Sequence, residues 1–173
     1  NNNTGAFSGN GKLITTDNVT ANRTVHQGRL EIQGGSLTSN ASNLVIANGV
    51  DNSSRLVLTG GELNSEVKGT GSTELTADTT INNRVSGNTL SIDNHKLSLG
   101  GSGELAVSGF SANGGTLDTQ NNAIDDVSLG NVILQGDLDL ALDVNLATPE
   151  IDTFGASSIE ANGNSIVITD IYV

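Results

Sequence analysis

An internal repeat constrains this chain more than any other feature of its sequence. The segment RLEIQGGSLTS at residues 29–39 returns as RLVLTGGELNS at residues 55–65. Each copy alternates apolar and polar residues, breaks at Gly-Gly and resumes with another Leu, which is typical of a strand-turn-strand unit. Because such a unit has only one apolar face, copies cover one another by stacking, as in solenoid proteins. The pattern predicts that Leu56 and Leu58 face inward as the stacked equivalents of Leu30 and Ile32.

Weaker copies extend the repeat. Residues 13–32 can be laid over residues 75–92 with a short gap, and the Gly-Gly turn recurs at residues 100–105 and 114–117. These intervals predict coils of about 22 residues, stacked about 4.8 Å apart, and hence roughly eight coils in a rod on the order of 40 Å long.

The composition favours a thin, regular interior. Aromatic residues make up 2% of the chain, and Trp, Met and Cys are absent. A column of Leu, Ile and Val needs no aromatic or Met side chains to fill irregular space. Glycine is abundant at 22 residues, which suits tight corners, while the single proline leaves nearly every backbone N–H free for a ladder. We predict an all-β parallel β-helix with essentially no helix, extending over residues 1–173 as one segment.

Charge excludes some partners. The net charge is −12, and no basic residue follows Lys96, so residues 125–173 form an acidic C-terminal part of the same solenoid. Nucleic acid is not expected as a partner, because phosphates are neutralised by clustered Lys and Arg. The sequence has no apolar run long enough for a membrane span and no Met at all. We therefore expect a fragment of a longer exported protein, with any membrane anchor outside this chain.

The strand pattern and composition of the whole chain resemble those of a known group of bacterial proteins. Short strands of alternating Leu, Ile and Val, GG-x-L turns and corners rich in Asn, Thr and Ser, without Cys, resemble the passenger region of autotransporters and filamentous haemagglutinin-like surface adhesins. Residues 131–171 resemble the segment that such chains carry late in the passenger. The resemblance implies a right-handed parallel β-helix displayed at the bacterial cell surface, and it implies no particular ligand.

One acidic strand is a candidate cation site. Alternation over residues 137–146 predicts Leu138, Leu140, Leu142, Val144 and Leu146 on one face. The same alternation places Asp137, Asp139 and Asp143 on the other face, with Asp125, Asp126 and Asp152 elsewhere in this part of the chain. Carboxylates are the ligands that Ca²⁺ prefers. A solvated outer face is the favoured interpretation, because carboxylates two residues apart on a strand are about 6 to 7 Å apart. The repeated nonapeptide of calcium β-rolls is absent, so a Ca-dependent β-roll is an alternative only.

Catalytic patterns are weak. His26 and His95 are the only histidines, and no nucleophile elbow accompanies them. Asp125 and Asp126 are the first candidates for a carbohydrate-active β-helix enzyme, although neighbours on a strand point to opposite faces. Phe110 is the one aromatic residue considered as a platform for a sugar. We expect no enzyme activity and no cofactor.

These observations favour a structural and adhesive stalk segment. The expected partners are a host-surface or matrix protein, a glycan, or other copies of the same chain. The expected location is the bacterial cell surface or the extracellular space.

Overall fold

The computed structural model describes residues 7–173, and it confirms the predicted all-β parallel solenoid. The chain winds through about seven turns. One short 3-10 helix, Ala41–Asn43, is the only helix in the described residues. None of this part of the chain forms a helix suited to crossing a bilayer.

Short strands make up the solenoid. In chain order they are β1 (Phe7–Ser8), β2 (Lys12–Thr15), β3 (Val19–Ala21), β4 (Val25–Gln27), β5 (Arg29–Ile32), β6 (Ser36–Ser39), β7 (Leu44–Ile46), β8 (Val50–Asn52), β9 (Arg55–Leu58), β10 (Gly61–Leu63), β11 (Val67–Lys68), β12 (Ser72–Leu75), β13 (Thr79–Ile81), β14 (Arg84–Ser86), β15 (Thr89–Asp93), β16 (Lys96–Leu99), β17 (Glu104–Ala106), β18 (Gly109–Asn113), β19 (Thr116–Asp118), β20 (Asp126–Leu134), β21 (Leu138–Asn145), β22 (Glu150–Ile151), β23 (Thr153–Glu160) and β24 (Ile166–Tyr172).

The strands stack into three faces. The first face runs β2-β5-β8-β11-β14-β17 and the second runs β3-β6-β9-β12-β15-β18, and the long strand β20 bends across both and carries β23. The third face runs β10-β13-β16-β19-β21 and carries β24. A small extra sheet, β1-β4-β7, lies beside the early coils. Every pair in the described residues is parallel except the β21–β22 hairpin.

Stacked columns of aliphatic side chains form the core. On the second face one inward column reads Val19, Leu37, Leu56, Thr73, Leu90, Phe110, Val132 and Ile159. Most of its members are fully buried, and Phe110 is the only aromatic residue among the buried core residues of the described chain. The composition therefore predicted the interior correctly, since one ring and many Leu, Ile and Val fill it.

The coils are not all of the predicted length. Stacked partners in this column give the length of each coil, and the steps from Leu37 to Leu56 and from Leu56 to Thr73 are both shorter than predicted. The step reaches the predicted length from Phe110 to Val132 and exceeds it from Val132 to Ile159. The chain makes about seven turns rather than eight. At about 4.8 Å per turn the rod is roughly 34 Å long.

The predicted pairing of the two best repeats is wrong, although both face inward. Leu30 stacks on Val50, whereas Leu56 stacks on Leu37. Residues 29–39 supply β5 and β6, which lie on the first and second faces, while residues 55–65 supply β9 and β10, which lie on the second and third. The same strand-corner-strand motif is therefore used at two different corners, and the interval between its copies exceeds one coil.

Glycine is required where these corners are tightest. Gly35 has φ +62°, and a Cβ atom there would lie 2.4 Å from the carbonyl carbon of Asp17 in the coil below. Gly61, in the second copy, has φ +94°, and a Cβ atom there would lie 2.5 Å from the Asn40 side-chain oxygen. Positive φ is unfavourable for other residues, so glycine is needed at these positions. The strands on either side of each Gly-Gly pair belong to different faces, so the pair marks a corner and not a hairpin.

A pair of asparagines occupies one corner of the core. Asn52 and Asn88 are fully buried, and the Asn52 amide donates to the Asn88 side chain at 2.7 Å and to the Ser72 carbonyl at 2.8 Å. The coil between them has Gly71, where a Cβ atom would lie 2.8 Å from the Asn52 oxygen. Glycine in the middle coil thus makes room for two amides that donate to the Ser72 and Gly69 carbonyls of that coil.

Candidate functional site

The most concentrated polar cluster in residues 7–173 lies where the last two coils meet. It combines the loop at residues 119–125, the end of β21 and the residue that follows β22. Two of its carboxylates are nearly inaccessible, with Asp143 3% and Asp152 5% exposed. Buried carboxylates require hydrogen bonds, and here the backbone supplies them.

Asp143 holds the loop above it. One of its oxygens, Oδ2, accepts the N–H groups of Asn121 and Asn122, both at 2.7 Å. Asn122 adopts φ +66°, which turns the two consecutive N–H groups toward the same oxygen. The other oxygen, Oδ1, is buried and has no hydrogen-bond partner among the described residues.

Asp152 joins three segments. It accepts the N–H groups of Asp125 at 2.8 Å and Asp143 at 2.7 Å, and the Thr119 hydroxyl donates to it at 2.5 Å. Charge-assisted bonds of this kind are short and roughly twice as strong as neutral ones. Two buried carboxylates, Asp143 and Asp152, therefore fix the corner before β23.

Asp125 is the third carboxylate of the cluster, and it is partly exposed. Burial raises its pKa above the usual value, the hydrogen bond from the Asn121 amide opposes that change, and the nearby charges of Asp152 and Asp143 raise the pKa further. The Asn121 amide reaches the Asp125 carboxylate at 2.7 Å.

Asp143 is buried, so the prediction that it lies on a solvated outer face is wrong. The pairing of β21 with β24 shifts register between Leu140 and Ala141, and Leu140, Ala141, Leu142 and Asp143 are all buried. The extra residue of this irregularity, Thr169, lies in β24, so the alternation of β21 itself is not changed. Asp143 is buried because the backbone of the loop at residues 119–125 closes over its carboxylate. Val144 is half-buried and Leu146 is exposed.

The other two predicted Ca²⁺ ligands, Asp137 and Asp139, lie apart from Asp143. Asp137 is exposed and accepts the Ser165 N–H at 2.7 Å, and Asp139 is half-buried within β21. In the described part of the chain no three His, Cys, Asp or Glu side chains converge closely enough to hold a metal ion.

The remaining residues that were candidates for a catalytic or sugar-binding site also lie apart from one another. Asp126 points outward and accepts the Thr153 hydroxyl at 2.8 Å, while Asp125 belongs to the buried cluster. His26 lies on β4, and His95 lies 3.8 Å from Asp78 at another corner. Phe110 is 1% exposed, so its interpretation as a sugar platform is wrong: it lies in β18 and fills the core.

A recess that the sequence did not predict lies on the side of the rod, and we call it the lateral notch. It encloses about 800 Å³ and arises because the extra sheet stops at β7. Representative lining residues are His26, Arg29, Val45, Asn48, Asn64 and Glu66. Amide, charged and aliphatic groups therefore meet in one concave surface.

Ser65 closes the edge of β7 inside the notch. Its hydroxyl donates to the Leu44 carbonyl at 2.8 Å and accepts the Ile46 N–H at 2.9 Å. These are the groups that a following strand would have bonded. The notch is thus a stable feature of the fold and does not present an unsatisfied strand edge.

The fold and these surfaces define a β-solenoid with a structural acid cluster and one lateral recess. Comparison with protein-family models, with curated proteins and with solved structures finds no match. The chemistry available is hydrogen bonding and ion pairing at the surface, together with a carboxyl group, Asp125, that takes up a proton more readily than usual because its pKa is raised.

Proposed function

We propose that this chain is a structural and adhesive stalk segment of a bacterial cell-surface protein of the autotransporter type. The observation that carries the proposal is the continuous aliphatic column through every coil, which leaves recognition to side chains on the outside. Such a rod holds an outer segment away from a surface and presents long lateral faces to a partner.

The partners of this segment are a host-surface or matrix protein, a glycan, or further copies of the chain. The lateral notch supports the first two, since amide and charged groups beside the exposed Val45 match a polar ligand with apolar patches. Nucleic acid is disfavoured by the net charge of −12. Any membrane attachment belongs to other parts of the protein.

Binding to immobilised partners tests the proposal. The chain, tethered through one terminus, is presented to a panel of glycans and extracellular-matrix proteins, and saturable binding to at least one is expected. Asn64→Arg with Val45→Arg, which fills the notch, should weaken that binding, whereas two arginines placed on another face, Ser91→Arg with Ile133→Arg, should not. Absence of binding to every member, together with release of sugar from a polysaccharide, would instead favour the carbohydrate-active enzyme. A large rise in thermal stability with Ca²⁺ would favour the β-roll.

A further inference from the structure

The lateral notch lies on the side of the rod and not at one of its ends. Its lining comes from residues 26–83. The extra sheet has the order β1-β4-β7, so the notch borders the edge at β7, while β1 forms the opposite edge. The edge at β7 is closed by the Ser65 hydroxyl. Neighbouring coils of the described chain therefore build the whole recess.

Two asparagines of the notch are each held by the fold through one atom and keep another atom for a ligand. Asn48 donates its amide to the Gly28 carbonyl at 2.9 Å, which leaves its Oδ1 oxygen as an acceptor. Asn64 accepts the Asn82 amide on its Oδ1 oxygen at 2.9 Å, and its own amide reaches only the Glu62 carbonyl, at 3.5 Å. The notch thus presents one oriented acceptor and one oriented donor.

Ser42 and Glu66 add a second donor and a second acceptor. The Ser42 Oγ oxygen accepts the Glu62 N–H at 2.8 Å, so its hydroxyl proton remains for a ligand. Glu66 follows the buried Ser65 and therefore points outward. Its carboxylate lies 3.7 Å from the Lys68 amine, which is beyond hydrogen-bond distance. Its oxygens are therefore available as acceptors.

Val45 and Ala47 form the apolar part of the notch. Val45 is 46% exposed, and Ala47 is exposed as well. Ser65 bonds to the residues on either side of Val45, so its own neighbours, Asn64 and Glu66, line the notch together with Val45. An apolar patch is therefore bordered by donors and acceptors. A sugar ring has the complementary arrangement, with C–H groups on one face and hydroxyl groups around its edge.

The charged groups of the notch favour a neutral ligand. Arg29 is paired with Asp51 and lies 3.5 Å from Glu31, and Lys68 faces Glu66. An anionic ligand would compete with these carboxylates and would meet the net charge of −12.

The lining also favours a glycan over a protein surface. No Phe, Trp or Tyr side chain of the described chain lines the recess. Protein partners are anchored mainly by Trp, Tyr and Arg in well-packed pockets. The notch offers separate polar groups around a small aliphatic patch instead.

We propose that the lateral notch binds a neutral, hydroxyl-rich glycan, with one sugar ring lying over Val45. Asn64 and Ser42 donate hydrogen bonds to its hydroxyl groups. Asn48 and Glu66 accept hydrogen bonds from them. Because contacts within the fold already orient three of these four side chains, binding costs less conformational entropy. The inference rests on the proposed function, since it names the ligand class of an adhesive surface.

A nuclear magnetic resonance titration of the ¹⁵N-labelled chain tests this assignment. The neutral probes are oligosaccharides of glucose, galactose, mannose or N-acetylglucosamine, and the anionic probes are oligosaccharides of galacturonic or sialic acid. At least one neutral probe should give saturable shifts at the side-chain amides of Asn48 and Asn64 and at the backbone amide of Val45. The anionic probes should bind more weakly.

Asn64→Asp removes the donor and keeps the oxygen that accepts the Asn82 amide. It should weaken binding by about fivefold to tenfold, the effect of one lost hydrogen bond, while the melting temperature is unchanged. Asn131→Asp is the matched control, because Asn131 is exposed on the second face and its oxygen accepts the Ser158 hydroxyl at 3.0 Å. This control should bind like the wild type.

Four outcomes would overturn the proposal. They are shifts confined to residues outside the notch, anionic probes that bind as tightly as neutral ones, binding that Asn64→Asp leaves unchanged, and no binding of any neutral probe. Fibronectin stripped of its glycans is titrated in parallel. If it binds and no oligosaccharide does, the glycan assignment fails and the adhesive function stands, whereas absence of binding by every probe counts against both.

Discussion

Asp152 joins three segments of the corner before β23 through a single carboxylate. Its two oxygens accept the N–H groups of Asp125 and Asp143 and the hydroxyl of Thr119, so three separate segments meet on one carboxylate. No basic residue follows Lys96, and backbone donors therefore replace a counter-ion. The cost of this solution is mutual repulsion with Asp125 and Asp143, which adds to the effect of burial in raising the pKa of Asp125.

The raised pKa predicts an unusual pH dependence for one substitution. The pKa of Asp125 is higher in the folded chain than in the unfolded chain, so its ionisation reduces stability as the pH rises through the folded value. Asp125→Asn, which still accepts the Asn121 amide, should raise the melting temperature by up to a few degrees at pH 7. The gain should disappear near pH 3, where the carboxyl group is protonated in both states.

Asp126→Asn is the matched control for this measurement. Asp126 is exposed on the outer side, and its substitution removes the same charge from the next residue along the chain. A pH-independent gain for Asp125→Asn, or an equal gain for Asp126→Asn, would contradict the argument from burial.

Leu56 tests the assignment of inward and outward residues. It is fully buried between Leu37 and Thr73, so Leu56→Ala should lower the free energy of unfolding by about 2 to 5 kcal/mol. Glu62→Ala changes an exposed residue just after the corner and should alter the free energy of unfolding by less than about 0.5 kcal/mol. Denaturant unfolding measures both, and similar values would show that the column is assigned incorrectly.

At the scale of elements, the extra sheet ends without leaving polar groups unpaired. Ser65 takes the place of a whole strand above β7, since one hydroxyl satisfies both the Leu44 carbonyl and the Ile46 N–H. From the next coil onward the last strand of each coil belongs to the third face, which begins at β10, and the lateral notch lies beside this step.

Ser65→Ala should open this edge. Two buried backbone groups would lose their partner, at a cost of about 1 to 3 kcal/mol for each unsatisfied group. Amide hydrogen exchange of Ile46 should accelerate far more than that of Ile81, which lies in the regular third face. Ser91→Ala, on an outer face, is the control and should leave both rates unchanged.

The positions of the strands show which features of the fold the sequence predicts and which it does not. The apolar alternation of β5, β6, β9 and β10 predicted strands, corners and inward residues correctly, because the period of two is a local property. Which face each strand joins depends on the lengths of the connecting corners. The segment at residues 40–49 contains a 3-10 helix and β7, and no local pattern shows that these residues extend one coil.

The candidate site was predictable only in part. Its acidic composition is visible in the sequence, but Asp143 is buried because the loop at residues 119–125 closes over it. Nothing in the alternating Leu and Asp residues of β21 shows which of them a loop from another coil will cover. The lateral notch arises from the relative lengths of three consecutive coils and has no local signal.

For the whole molecule, stability should vary along the axis. Each coil pairs its strands only with those of the coils next to it, and among the described residues the first and last coils, residues 7–24 and 153–173, have such a neighbour on one side only. Amide hydrogen exchange in dilute solution should be slowest in the central strands β12 and β15 and fastest in β2, β23 and β24. Protection of β24 equal to that of β15 in monomeric protein would contradict this view of independent coils.

Parallel stacking also determines how the rod responds to tension. The hydrogen bonds between coils run along the axis, so a pull on the two ends loads one interface after another instead of shearing all of them together. A coil of about 20 residues that peels away yields roughly 70 Å of extended chain in exchange for about 5 Å of rod. A tether built from such coils lengthens more than tenfold, step by step, before its last coil is lost, and it can dissipate the work of a sudden pull without detaching.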